Sequence, residues 1–255
     1  MKRVLLHLSD SLNVNAYGLC IAIGMVVYLW FVQRHEQFKK LNLEPYFPTL
    51  FFIGFLSALV GGRALYCFEM GDGMSVSDIF AVWEGGFSVL GSVIGFCAIV
   101  PVCLIKYKIP LLPFFDLIAL HAPLLQSLSR IGCFFAGCCY GKKTDLWCGV
   151  TYSDTESMAP LYMKIHPTQL YSAVALLLIF AIQYFVLQLI FKKPGQMIGF
   201  YLMAMSAERF FMDYVRAGGT YYENYMNFSV TQSISAAIFI SGLLLFLWTT
   251  LRNAN

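Results

Sequence analysis

Four stretches of the chain carry no Asp, Glu, Lys or Arg: residues 11–33, 85–105, 167–191 and 224–251. Each reaches the roughly 20 residues that a helix needs to cross the hydrocarbon core of a bilayer. Three more apolar segments, about 48–68, 114–136 and 197–216, each hold charge near their C-terminal end. The count predicts an all-α polytopic membrane bundle of seven transmembrane helices, a single domain over residues 1–255. Composition agrees, with 59% hydrophobic and only 12% charged residues, where soluble domains carry about 25% charged. That deficit excludes a water-soluble enzyme and a disordered chain. The net charge of +3, from 17 basic and 14 acidic residues, is too balanced for a polyanion-binding surface, so no nucleic-acid partner is expected. Residues 1–10 lack the cleavage site of a signal peptide.

Lys and Arg in the short loops set the orientation. Arg34, Lys39 and Lys40 follow the first span, Lys106 and Lys108 the third, and Lys192 and Lys193 the fifth. The connection 69–84 instead holds Glu69, Asp72, Asp78 and Glu84 and no basic residue. The N-terminus is therefore expected outside and the C-terminus inside.

Spans 2, 4 and 6 then all run outward, and each carries an arginine in its second half: Arg63, Arg130 and Arg209. Charge at membrane depth costs at least ~2.5–3.5 kcal/mol on insertion scales, so these need partners. Glu208, Asp213 and the deeper Asp116 are the acidic candidates, and they do not neutralise the cluster if Arg216 joins it. A single arginine can snorkel to the interface or pair locally. Three at one depth point to an anionic group in the outer leaflet, because the planar guanidinium fork suits phosphate.

Glycine-rich runs mark the outer ends of the spans: Gly61-Gly62-Arg63, Trp83-Glu84-Gly85-Gly86-Phe87-Ser88, Gly91-Ser92-Val93-Ile94-Gly95, Arg130-Ile131-Gly132-Cys133 and Gly137-Cys138-Cys139-Tyr140-Gly141. Close helix packing explains any one of them, and exposed backbone meeting a ligand is the other reading. His166-Pro167-Thr168-Gln169-Leu170-Tyr171 opens span 5, with Pro and Thr as helix-start signals. His166 is either an interfacial residue or part of a site. His121, in mid-span 4, reads as a core histidine.

In order and spacing these segments resemble the bacterial prolipoprotein diacylglyceryl transferase family, from Tyr17-Gly18-Leu19 to the Thr231-Gln232 region. The resemblance implies an inner-membrane enzyme that moves the diacylglyceryl group of phosphatidylglycerol onto a cysteine thiol of a secreted lipoprotein precursor, releasing glycerol 1-phosphate. It also implies that Arg130 and Arg209 are the family's essential arginines, Tyr17 its first-span tyrosine and Asp213 its acidic residue after Arg209. An arginine cluster would hold the lipid phosphate as charge develops on it.

Departures from the family pattern fall on its proton-handling and polar positions. Leu90 stands where the family has a histidine, Cys133 where it has asparagine, Cys138 where it has glutamate and Met205 where it has tyrosine. A paralogue with changed chemistry is therefore a second reading, in which Cys138 is a thiolate activated by Arg130 or Arg209. The C-x4-C-C-x8-C spacing of Cys133, Cys138, Cys139 and Cys148 lacks the paired C-x-x-C of structural zinc sites, so no metal and no cofactor are expected. A disulfide through Cys148 and simple packing are the other readings. A non-catalytic phospholipid-binding protein that lost its base at Leu90 is the third reading. Candidate catalytic residues are Arg130, Arg209, Cys138 and His166, and candidate substrate-binding residues are Tyr17, Arg63, Gly132, Cys133 and Asp213.

Overall fold

The computed structural model describes residues 4–9, 12–70, 86–218 and 229–252. The acidic positions Asp72, Asp78 and Glu84, with Trp83 and Gly85, lie outside the described residues. Where the sequence predicts one domain, contacts gather in two compact units, one of Met1–His35 and Phe115–Asn255, the other of Glu36–Phe114.

The first unit starts with two antiparallel strands, β1 (Val4–Ser9) and β2 (Leu12–Asn15). They overlap a stretch expected to be helical from residue 11. Leu12-Asn13-Val14-Asn15 alternates apolar and polar residues, the period of a strand, and the helix begins only after it. Helix α1 (Ala16–Arg34) follows within this unit.

The second unit holds α2 (Glu36–Lys40), α3 (Phe47–Met70) and α4 (Val89–Lys106). Helices α3 and α4 cross at glycine. A Cβ on Gly61 would sit 2.5 Å from the carbonyl oxygen of Gly91 and 2.9 Å from the Cα of Gly95. Small residues let backbones approach this closely, which is the packing reading of those runs.

Returning to the first unit, α5 (Leu111–Ala136) enters it from residue 115. A small two-stranded sheet follows, β3 (Val150–Thr151) with β4 (Lys164–Ile165). Helix α6 (Thr168–Ile182) passes through a π-helical turn, Gln183–Leu187, into α7 (Gln188–Ile190). Two further helices, α8 (Gln196–Val215) and α9 (Val230–Leu251), complete it. Helix α9 starts at Val230, six residues after the charge-free run begins, and is preceded by Ser229, whose side chain and that of Gln232 form a reciprocal cap.

Six helical segments among the described residues are long and apolar enough to cross a membrane. They are α1, α3, α4, α5, α9 and the run Thr168–Ile190. The expected sixth span, α8, is 20 residues long but carries Glu208, Arg209 and Asp213, which keep it out of that apolar set. Large apolar side chains face outward on these helices, among them Val26, Val102, Phe185 and Leu244. Water would not tolerate such surfaces, and hydrocarbon does. His121 is fully buried and its Nδ1 lies 3.0 Å from the Leu117 carbonyl, as expected for a core histidine.

Candidate functional site

The chain turns sharply where α5 ends. Gly137 adopts φ +71°, and a Cβ there would strike the Ser157 hydroxyl, so only glycine fits. Cys139 follows in the same left-handed region, φ 60°. Two side chains from the first turn of α6 hold this bend from below. Gln169 Nε2 donates to the Cys138 carbonyl and Thr168 Oγ1 to the Cys139 carbonyl, each at 2.7 Å. Both residues are buried. Tyr152 donates its hydroxyl to the Phe134 carbonyl at 2.8 Å, and burial pushes its phenol up to about 12, so it stays a neutral strut.

The end of α8 runs alongside this turn. Lys142 N donates to the Val215 carbonyl at 2.8 Å and Ala217 N to the Tyr140 carbonyl at 3.1 Å. That pairing carries Arg216 to the cysteines, where its Nη2 donates to Cys139 Sγ at 3.2 Å. The sulfur atoms of Cys133, Cys138 and Cys139 all lie within 4.8 Å of one another. Hydrogen bonds from the other two thiols, with the charges of Arg216 and Arg130 behind them, hold the Cys139 thiol far below its ordinary range. Hydrogen bonding to Cys133 and Cys139, together with burial, pushes Cys138 far above it. Cys139 is therefore the most acidic thiol of the three.

Arg130 and Arg209 are half-buried, and among the described residues neither makes a hydrogen bond or an ion pair. The charges of Arg216 and Arg130 both reach Arg209. The carboxylates offered by the sequence as their partners take hydrogen bonds from other groups, and Asp213 reaches Arg209 through charge alone. Glu208 accepts the Ser172 hydroxyl at 2.5 Å, and Asp213 accepts the Ser229 hydroxyl. Asp116 caps the start of α8, accepting from the backbone amides of Gly195 at 2.6 Å and Ile198 at 2.8 Å. Its expected role as a counter-charge gives way to orphan amides at the helix start, which need an acceptor. Three guanidinium groups thus share one region with their nearest carboxylates turned to neutral donors, an arrangement suited to an anion from outside the chain.

The other expected site residues divide between the two units. Gly132 lies against α1, where a Cβ would come within 3.2 Å of both the Tyr17 ring and its carbonyl oxygen. Cys133 and Cys138 fall within the thiol cluster, but the guanidinium that reaches a sulfur is that of Arg216, and the sulfur is that of Cys139. His166 sits beside the bend through backbone bonds, with Gly141 N donating to its carbonyl at 3.0 Å. Its Nδ1 lies 3.3 Å from the Tyr171 hydroxyl, which in turn meets Cys148 Sγ at 3.2 Å. Cys148 is a free thiol, not half of a disulfide. Arg63 belongs to the other unit and is fully buried there. It donates to the Gly86 carbonyl at 3.2 Å and lies over the Tyr66 ring at 5.5 Å.

The sequence marked Thr168 and Gln169 only as part of the motif that opens span 5, and Ser172 and Ser229 carried no signal as positioning groups. The tandem cysteines after Gly137 were the one local signal that a special turn forms here.

Comparison with known proteins supplies the lineage. Residues 3–248 match a family described as prolipoprotein diacylglyceryl transferase. The phosphatidylglycerol–prolipoprotein diacylglyceryl transferase of Clostridium tetani is 29% identical over 249 residues, covering 96% of this chain and 97% of that protein. Phosphatidylglycerol–prolipoprotein diacylglyceryl transferase 2 of Clostridium perfringens is 30% identical, covering 96% and 94%. The transferase of the same name from Pseudoalteromonas atlantica is 29% identical, covering 95% and 87%. With the match running nearly end to end, the chain belongs to the prolipoprotein diacylglyceryl transferase family.

Proposed function

We propose that this protein transfers the diacylglyceryl group of phosphatidylglycerol to a cysteine thiol of a secreted lipoprotein precursor. The observation that carries this reading is the group of Arg130, Arg209 and Arg216, whose neighbouring carboxylates are turned to serine hydroxyls. A phosphodiester meets such a group through charge-assisted hydrogen bonds. The acceptor sulfur attacks the glyceryl carbon that bears the phosphate ester. A carbon–sulfur bond forms, the carbon–oxygen bond breaks, and glycerol 1-phosphate departs with the electron pair. Charge grows on the departing phosphate, and donors fixed beside it lower the barrier.

In this reading α8 completes a seven-span bundle in the bacterial inner membrane, with the N-terminus and the arginine region on the periplasmic side. Such a helix is tolerated because its charged face turns to the protein interior, where Glu208 and Asp213 are buried. Tyr17 and Gly132 line the lipid's approach along α1 and α5.

The test uses purified protein, phosphatidylglycerol labelled in the glyceryl carbons of its diacylglyceryl half, and a peptide containing a lipoprotein-type cysteine. Label appearing on the peptide in a base-stable thioether, and not on a Cys→Ser peptide, supports the reading. Phospholipid that co-purifies and never turns over would instead make this a binding protein.

A further inference from the structure

We infer that Cys133, Cys138 and Cys139 form a three-thiolate site for a thiophilic divalent cation, zinc being the simplest, whose fourth position takes the acceptor thiol. This inference rests on the transfer reading above and deepens it. Three sulfur atoms within 4.8 Å of one another are close to the geometry of a tetrahedral site. Zinc–sulfur bonds of about 2.3 Å put neighbouring sulfurs about 3.8 Å apart, so a contraction of about 1 Å closes the set. The sequence spacing hid this, because the sharp bend at Gly137 brings residues from the end of α5 and from the loop to one point.

The surroundings suit a metal thiolate. The carbonyls of Cys138 and Cys139 are pinned by Gln169 and Thr168, so the ligands are held before any ion arrives. Three thiolates around a dication carry a net charge of −1, and the Arg216 guanidinium at 3.2 Å from Cys139 Sγ offsets it. Such N–H donors to ligand atoms are the usual outer shell of a metal site. Three protein ligands leave one position open, which is the catalytic arrangement and not the closed structural one.

An open zinc position beside a phosphate site solves a chemical problem of this chain. Leu90 stands where the family resemblance has a histidine to serve as the base for the thiol. A thiol that coordinates the metal is deprotonated outright and needs no base. The acceptor thiol binds the cation and its proton leaves to solvent. Its sulfur lone pair then forms the bond to the glyceryl carbon, and the carbon–oxygen electron pair leaves with glycerol 1-phosphate. The cation changes neither charge nor oxidation state, and the thioether product, a weaker ligand than a thiolate, dissociates.

The experiment strips full-length protein in detergent with a chelator, reloads it with zinc, removes free metal and counts metal per chain. Wild type and Cys97→Ser, whose thiol sits on α4, should keep about one zinc, and Cys139→Ser and the triple Cys133/Cys138/Cys139→Ser variant roughly a tenth or less. Arg216→Gln should weaken retention about 10- to 100-fold. Cadmium in place of zinc should give wild type, and not the triple variant, a thiolate charge-transfer absorbance. Retention of labelled phosphatidylglycerol by the cysteine variants, and an unchanged unfolding midpoint in detergent for Arg216→Gln, confirm that they are folded. Stripping should lower transfer to the peptide at least about 100-fold and zinc should restore it, by analogy with loss of one transition-state group. Equal zinc in wild type and triple variant overturns the site. Full transfer by stripped protein overturns the thiol-activating role. Bound zinc with no transfer in either state overturns the transferase reading and that role together, while the stoichiometry still supports the site.

Discussion

Arg130 and Arg209 are the side chains whose replacement reports most directly on the reaction. Each is half-buried and lacks a hydrogen-bonded partner among the described residues, so neutralising it removes little native bonding. Arg130→Gln and Arg209→Gln should each lower transfer about 10²- to 10³-fold, the cost of losing one donor to a developing oxyanion. Their melting temperatures in detergent should stay near that of the parent. A loss of fold matching the loss of activity would mark them as structural. The thiols differ from one another at the same scale. The neighbouring thiols and Arg216 hold the Cys139 thiol below its ordinary range, and its neighbours and burial push the Cys138 thiol above it. Iodoacetamide at pH 6, followed by peptide mass analysis, should therefore modify Cys139 several-fold faster than Cys138. Arg216→Gln should narrow the difference. The sequence pointed to Cys138, at the family's glutamate position, because it cannot show which of two adjacent sulfurs a left-handed turn presents to an arginine.

Helices in this chain are joined by features that single substitutions can probe. Gly61→Ala drives a methyl group into the Gly91 carbonyl and the Gly95 backbone, and backbone cannot step aside as a side chain does. It should cost on the order of 1–3 kcal/mol, measured as a lowered unfolding midpoint in mild detergent. Asp116→Ala leaves the amides of Gly195 and Ile198 without their acceptor, and should cost about 0.5–2 kcal/mol. Asp116→Asn keeps one acceptor oxygen and should lose less. Element boundaries were legible where the sequence carried a local signal, as at Ser229 with Gln232 three residues on. They were hidden at residues 12–15, where lack of charge read as helix and the apolar–polar alternation of a strand went unweighed. The π-helical turn at Gln183–Leu187 has no composition signal, since helical registers share the same apolar residues. Asp116 and Glu208 do not form the salt bridges that charge balance suggested, for a physical reason. Charge balance favours salt bridges on paper, but a buried carboxylate takes the nearest geometrically sound donors, here amides and hydroxyls.

At the scale of the molecule, scarcity of charge was the most informative feature. It gave four of the six apolar spans directly, and the charges that remained marked α8 and the site. Arg63, Arg130 and Arg209 were grouped from the sequence because they share a depth on three outward-running spans, with Arg216 as a further candidate. Of these, Arg63 belongs to the other unit, where it donates to the Gly86 carbonyl. The thiol cluster was illegible because three cysteines in a C-x4-C-C pattern meet only through a turn that a glycine makes possible. The central claim is that this scaffold still alkylates a thiol with a phospholipid's diacylglyceryl group despite Leu90. Its most direct measurement is a mass balance on zinc-loaded protein incubated with phosphatidylglycerol and a cysteine-containing lipoprotein peptide. One glycerol 1-phosphate released for each peptide that gains a diacylglyceryl thioether is the predicted result. Unmodified peptide beside fully retained phosphatidylglycerol would contradict it.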